Sequence, residues 1–326
     1  METVVRECLE GLEFGEMQTE RNMAVLPLFS EAKAGRQFVV MSEALEAGVL
    51  TITEVDAGGS VPELKVRNAG DKAVLLLDGE ELAGAKQNRV LNTTILVEKH
   101  SEIIVPVSCT EHGRWRYTSR EFPDSGNVMA PAQRMRKSRS VSESLRQCRG
   151  HRSDQRQVWE DIAETSREAG VQSPTGAMRD VFEARDGELT RYAQAFPCLD
   201  GQRGLLAFTN GAVTGFELLA REGAYRELHD KLIRSYGMQA SLRCREDAPE
   251  ASEKRARAFV DAALNCREEP FDSPGLGTDL RYRNGHVIGS ALVYWKATVH
   301  AAFFKAEGSR DQSKLRSYRR RRRFRM

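Results

Sequence analysis

The constraint that acts first on this chain is the close spacing of its turn-forming residues. Between residues 23 and 107, short apolar runs alternate with turn residues. The runs lie at 23–29, 49–55, 64–67, 73–77, 93–97 and 103–107. In 49–55 the side chains alternate: Leu50, Ile52 and Glu54 face one way, Thr51, Thr53 and Val55 the other. That period of two belongs to a strand. Asp56-Ala57-Gly58-Gly59 is turn chemistry, because glycine reaches the positive φ that tight reversals need. Asn68-Ala69-Gly70-Asp71 predicts a hairpin between 64–67 and 73–77, and Lys99-His100-Ser101 another between 93–97 and 103–107. Only 41–47, closed by Gly48, reads as a helix in this third. Short strands with short turns predict an antiparallel meander or sandwich.

The rest of the chain changes period. Residues 153–168 place Val158, Trp159, Ile162 and Ala163 on one face of a helix. Ser173-Pro174 reads as an N-cap followed by proline at the first helical position. Residues 188–196, 222–236 and 252–264 read as further helices. Asn210-Gly211 and Asn284-Gly285 are strong hairpin signals, each flanked by apolar runs, and 298–304 reads as a partner for the second. The predicted fold class is α+β: an N-terminal antiparallel β-meander or sandwich, then helices and two further hairpins, packed as one compact unit. The predicted organisation is an N-terminal extension (1–22) and a single domain (23–305), followed by a basic, disordered tail (306–326). Within the domain, a β-rich lobe (23–121) precedes a mixed helix and hairpin lobe (133–305).

Charge is unevenly distributed. Residues 314–326 carry eight Lys and Arg and no acid. Removing those eight from the 49 basic residues leaves 41 against 47 acidic ones, a net of −6. Two readings stand for the tail: a solvated segment, or an electrostatic contact to nucleic acid or another polyanion. No run of apolar residues is long enough for a membrane helix, and residues 1–11 lack the apolar core of a secretory signal. The six cysteines are far apart and form no C-x-x-C pair, so the expectation is reduced thiols in the cytoplasm. The chain has no P-loop, no G-x-G-x-x-G after a strand, no H-E-x-x-H and no G-x-S-x-G.

Two segments break the pattern around them. After the apolar run 74–77 come Asp78-Gly79-Glu80-Glu81-Leu82 and Gly84-Ala85-Lys86-Gln87-Asn88-Arg89. On an extended backbone Asp78 and Glu80 share a face, which fits a divalent metal or a hydrogen-bonding pair. Gln87, Asn88 and Arg89 offer amides and a guanidinium fork suited to phosphate or carboxylate. The competing reading is a polar loop laced with salt bridges. The second segment is Ser108-Cys109-Thr110-Glu111-His112-Gly113-Arg114-Trp115. Cys109 near an acid and an imidazole fits an activated thiol, though a buried structural cysteine is commoner, and Cys109 needs a turn to meet His112. Trp115 fits either a stacking platform or a core position.

Together these strings resemble the ADP-ribosylglycohydrolase- and rhodanese-phosphatase-superfamily-associated protein domain family. Asp154-Gln155 with Val158-Trp159, Ser173 with Thr175, Gly211 with Gly215, Gly275-Leu276-Gly277 with Arg281, and Val299-His300 extend the resemblance across roughly 23–304. The resemblance implies binding, extending to processing, of an ADP-ribose- or nucleotide-like ligand in NAD-linked metabolism, with ADP-ribose-processing proteins as partners. It implies ligand contacts from Glu80, Gln87, Asn88, Arg89, Cys109, Arg114 and Trp115, with Glu81 and Glu111 as acid and base. The alternative is a non-catalytic partner or regulatory module. Neither the residues nor the resemblance names a cofactor or a metal.

Overall fold

The computed structural model describes residues 1–56, 62–114, 119–242, 244–245 and 249–307. Its first elements are α1 (Thr3–Glu10), β1 (Leu12–Phe14), β2 (Gln18–Glu20), β3 (Met23–Ser30), β4 (Phe38–Val40), α2 (Met41–Glu46), β5 (Leu50–Glu54), β6 (Glu63–Asn68) and β7 (Ala73–Leu76). Then follow β8 (Glu80–Leu82), β9 (Arg89–Leu91), β10 (Ile95–Val97), β11 (Ser101–Cys109), β12 (Asp124–Val128), α3 (Pro131–Arg146), α4 (Gln155–Ala169), α5 (Met178–Ala184) and α6 (Asp186–Ala195). The chain continues with β13 (Gly204–Thr209), β14 (Ala212–Leu219), α7 (Glu222–Leu242), α8 (Glu253–Leu264), β15 (Arg267–Asp272), β16 (Thr278–Arg283), β17 (Val287–Tyr294) and β18 (Ala297–Lys305). The fold is α+β, with the N-terminal strands first, as the spacing of turns predicts.

Three sheets build the layers. The largest runs β1-β3-β13-β14-β18-β17-β16-β15, with β2 also on β3. Its alternate side chains enter two different cores. Leu206, Phe208, Phe216, Leu218 and Phe303 meet α1 and α8 on one face. Leu205, Ala207, Leu219 and Phe304 meet α7 on the other. Burial on both faces explains why 205–208 is a continuous apolar run rather than an alternating one. The small sheet β10-β7-β4 lies beyond α7 and partitions two cores in the same way. Leu75, Leu77 and Leu96 face the large sheet, while Val74, Leu76, Ile95 and Val97 face the third sheet, β12-β8-β9-β11-β6-β5. The outer face of that third sheet is covered by α4 and α5, through Val90, Val158, Ile162, Met178 and Val181.

Several local expectations change. Residues 1–22 contribute α1 to the large sheet's core and β1 and β2 to its edge. The two expected hairpins at 68–71 and 99–101 do not form. Strand β6 pairs with β5 and β11, whereas β7 pairs with β10 and, in parallel, with β4; β11 pairs with β6 and β9. Both connections instead carry the chain between sheets. The Asn68 side chain ties them together, its amide donating to the carbonyls of Lys72 (2.9 Å) and Glu98 (3.0 Å). The Asn210-Gly211 hairpin forms, with φ of 51° and 67°. A Cβ at Gly211 would lie 1.5 Å from the Pro249 carbonyl oxygen, so only glycine fits. At Asn284-Gly285 the strands pair, but the turn is held by the Asn284 side chain, which accepts from the amides of His286 and Val287 at 2.8 Å. Most of the expected turn at 56–59 and all of the tail beyond residue 307 lie outside the described residues. Among the described residues, no helix is long and apolar enough to cross a membrane.

Candidate functional site

The first polar string begins where β7 ends. Gly79 has φ of +86°, which breaks the extended backbone and sends its neighbours apart. A Cβ there would sit 2.7 Å from Arg134 Cδ, so the glycine also makes room for that side chain. The expected shared face of Asp78 and Glu80 is therefore not formed. Asp78 turns to Arg134 (3.2 Å) and Lys137. Glu80 turns to Lys231 (2.9 Å) and accepts from the Leu77 amide (2.8 Å).

Asp78 opens onto an ionic network between the large sheet and the small one. Arg134 and Lys137 come from α3, and Arg134 pairs on its other side with Glu217 of β14. Glu217 accepts from His300 Nε2 (2.9 Å) when that nitrogen carries the proton, and from the Tyr236 hydroxyl (3.3 Å). His300 Nδ1 lies 2.9 Å from Thr94 Oγ1, and Thr94 in turn accepts from the Asp78 amide (3.1 Å), closing a ring. Beside it, Asp279 pairs with Arg281 (2.6 Å) and His151 (2.8 Å) and accepts from Thr93 (3.1 Å). Glu217, Asp279, Arg281 and His300 all project from the same face of the large sheet, because their registers share the parity of Leu219 and Phe304. Burial alone would raise the carboxyl groups of Asp78 and Glu217. Lys137 and Arg134 outweigh it at Asp78, and Arg134 with His300 at Glu217, holding both below the usual carboxylate range.

The two polar strings do meet, but on opposite faces of the third sheet. On its inner face, Arg89 is fully buried, donates to Gln87 Oε1 (3.1 Å) and lies 3.8 Å from Glu54. Cys109 is its register partner. Burial pushes the Cys109 thiol up to about 11, away from the thiolate. The Gln155 side chain clamps its backbone, accepting from the Cys109 amide (2.7 Å) and donating to its carbonyl (2.9 Å). On the outer face, Glu81 lies beneath α5 and accepts from the Thr110 hydroxyl (2.6 Å). Its burial raises the Glu81 carboxyl to about 7 against the hydrogen bonds that favour ionisation.

Around Arg114 the strings form a rim, exposed at His112 and Gly113 and buried at Asn88 and Glu111. Arg114 Nε and Nη2 donate to Glu111 (2.9 and 2.6 Å), Nη1 to the Ala85 carbonyl (2.7 Å), and Nη2 also to Asn88 Oδ1 (3.1 Å) and the Gly84 carbonyl (3.2 Å). Glu111 accepts from the Asn88 amide (3.3 Å), and Arg114 keeps it ionised against the pull of burial. Lys86 lies in the same loop, and its side chain adds a further positive charge. His112 is exposed and meets Trp159 of α4 edge to face at 4.4 Å. Gly113 packs against Thr175, where a Cβ would lie 3.0 Å from the backbone. Trp115 lies outside the described residues.

A family model for the ARG and Rhodanese-Phosphatase-superfamily-associated Protein domain matches residues 11–304. The chain belongs to this family. The match spans every layer of the fold, both polar strings and the ionic network. No curated protein and no solved structure matches the chain. Of the residues that the resemblance singles out in this ARG and rhodanese-phosphatase-associated domain, Asn88, Glu111 and Arg114 gather at the rim, and Gln87 joins it to Arg89 on the inner face. Glu80, Glu81, Arg89 and Cys109 lie in the protein interior, Glu80 on Lys231, Glu81 on Thr110, and Arg89 in register with Cys109. Sequence reasoning missed Arg134, Lys137, Glu217, Asp279 and His151. His300 reads from sequence as an isolated polar residue, and only the strand register joins it to Glu217.

Proposed function

We propose that this domain binds an ADP-ribose- or nucleotide-like anion at the rim formed by residues 84–89 and 110–114. One observation carries the reading. The rim gathers a guanidinium, an ammonium, side-chain amides and two aromatic rings beside polar atoms left without partners. Trp159 Nε1 and Glu81 Oε2 are buried and make no hydrogen bond among the described residues. Buried polar atoms without a hydrogen bond occur elsewhere in the fold too, at Ser42, Ser144 and Ser166 among others, but beside these charges and rings a ligand group is one explanation for them. Arg114 carries the planar fork that suits phosphate, which a ligand would share with Glu111 and the loop carbonyls, with Lys86 as a second charge. His112 and Trp159 offer ring contacts to a base, and Gln87 and Asn88 offer amides to ribose hydroxyls. Arg89, which reaches the rim through Gln87, its register partner Cys109, and Glu80 complete the set of residues in this proposal. If a bond is broken there, Glu81, titrating near about 7, suits the acid and the ionised Glu111 the base. The family description, with its association to ARG, is what favours ADP-ribose and NAD-linked metabolism over other anions. A cytoplasmic setting, consistent with cysteines that are all free, is part of the same proposal.

A second reading is a non-catalytic partner or regulatory module associated with ADP-ribose-processing proteins. It is favoured by the internal pairing of the string charges: Arg89 with Glu54, Glu80 with Lys231 and Arg114 with Glu111. Thermal unfolding with ADP-ribose, NAD and nucleotides separates the two. A ligand confined to the folded state, at about 100 times its dissociation constant, adds about 2.7 kcal/mol. The ligand reading expects that gain in the wild type and its loss in Arg114→Lys, which keeps the charge but not the fork. An equal gain in both would remove Arg114 from the site. A flat response to every ligand would leave the partner module.

A further inference from the structure

The inner face of the third sheet carries one acid out of pattern. Along β5, Leu50, Ile52 and Glu54 alternate onto the buried side, so a carboxylate stands where the period calls for an apolar residue. Its side chain is 4% exposed. Arg89 Nη2 lies 3.8 Å from Glu54 Oε1, close enough for attraction and too far for a hydrogen bond. Neither Glu54 oxygen accepts a hydrogen bond among the described residues. The other buried carboxylates of the described residues differ: Asp78, Glu217 and Asp279 are each held by a cation, and Glu81 by Thr110. A buried carboxylate with both oxygens unpaired is costly, and it selects for a group that donates to it.

Glu54 is the last residue of β5, and the chain is exposed two residues on, at Asp56. Strand β9 begins at Arg89 and β11 ends at Cys109, its register partner. Glu54 therefore stands at the end of the sheet from which both rim segments leave. Arg89 joins the two places, with Glu54 on one side and Gln87 Oε1 (3.1 Å) on the other. The neighbours define what Glu54 can accept. Two oxygens of one carboxylate take two adjacent donors at once. A cationic donor would be repelled by the Arg89 guanidinium beside it. The two hydroxyls of a vicinal diol are neutral donors at the right spacing, and their oxygens remain free to accept.

We infer that Glu54 is the ribose-recognising carboxylate of the rim site, accepting both hydroxyls of a 2′,3′-diol. The inference rests on the nucleotide reading of the rim and adds a residue that separates ribose-bearing ligands from other phosphates. Arg114 and Lys86 select for an anion, and Glu54 selects for a sugar. A ligand with the diol pairs a carboxylate that is otherwise unpaired; a ligand without it leaves that cost in place.

The test is calorimetric titration of the full chain with ADP-ribose, ADP and 2′,3′-dideoxy-ADP, in the wild type and in Glu54→Gln. The wild type is expected to bind ADP-ribose about a hundredfold more tightly than the dideoxy compound. ADP groups with ADP-ribose if Glu54 holds the adenosine ribose, and with the dideoxy compound if it holds the terminal one. In Glu54→Gln the discrimination should shrink to about tenfold or less, because glutamine keeps a single acceptor and no charge. A wild type that binds all three equally would overturn the assignment, and that measurement needs no variant to fold. Undiminished discrimination in Glu54→Gln would overturn it too, leaving an ordered water as the partner of Glu54. A wild type that binds none of the three would overturn the rim reading itself, and the assignment with it.

Discussion

Replacing Arg134 with methionine is expected to cost about 3–5 kcal/mol of folding stability, enough to leave a domain of ordinary stability largely unfolded. Arg134 is wholly buried and lies between two carboxylates, Asp78 and Glu217. Methionine keeps the stem's volume, so the loss is that of two buried charges facing fewer cations rather than of a cavity. The same network gives the wild type an acid sensitivity whose sign is fixed. Asp78 and Glu217 have folded values below those of the unfolded chain. Their contribution is complete above about pH 4.5, and it drains away as the pH falls through the depressed folded values. Urea unfolding at pH 7 and at about pH 2 measures both effects. A loss below about 1 kcal/mol in Arg134→Met would mean that the network is not what joins α3 to the sheets.

Glu81→Gln is expected to act in the opposite direction. The Glu81 carboxyl titrates at about 7 in the folded protein against an ordinary 4.5. The folded state therefore binds the proton more tightly than the unfolded chain does. Stability falls as pH rises between those two values, and the deficit is full above pH 7. At about 1.4 kcal/mol per unit, the gap corresponds to roughly 3 kcal/mol. Glutamine cannot ionise and retains an oxygen to accept from Thr110. The variant should therefore be more stable than the wild type by up to roughly 3 kcal/mol at pH 8, and within about 1 kcal/mol of it at pH 5. A stability difference that does not change between these pH values would show that Glu81 remains ionised in the fold. A gain in stability on neutralising a buried acid is also what a site that trades stability for function shows.

The strands and hairpins were readable because their signals are local. Alternation in 50–54 places Leu50, Ile52 and Glu54 on one buried face, as the period of two requires. Asn210-Gly211 dictates its own turn. The pairing of β6 and β7 was not readable, because the 68–71 turn looks the same whether the chain reverses within a sheet or passes to the next. The Asn68 bond to Glu98, thirty residues away, decides between them. Helix α3 was invisible for a different reason. Its buried side is Arg134, Met135, Lys137, Ser138 and Val141, and a hydropathy pattern assigns arginine and lysine to solvent. Such a helix is legible only once Asp78, Glu217 and Asp279 are known to face it. The polar strings were legible as unusual, and their division into an inner face, an outer face and a rim was not. That division depends on strand parity and on the reversal at Gly79.

The central claim, a ligand site at the rim of residues 84–89 and 110–114, is tested most directly by hydrogen exchange of the full-length protein with and without ADP-ribose. The account predicts slower exchange of the amides in those two segments, including Asn88 and Thr110, and no change in the β13–β14 hairpin. Unchanged exchange at the rim in saturating ADP-ribose, or protection concentrated elsewhere, would contradict it.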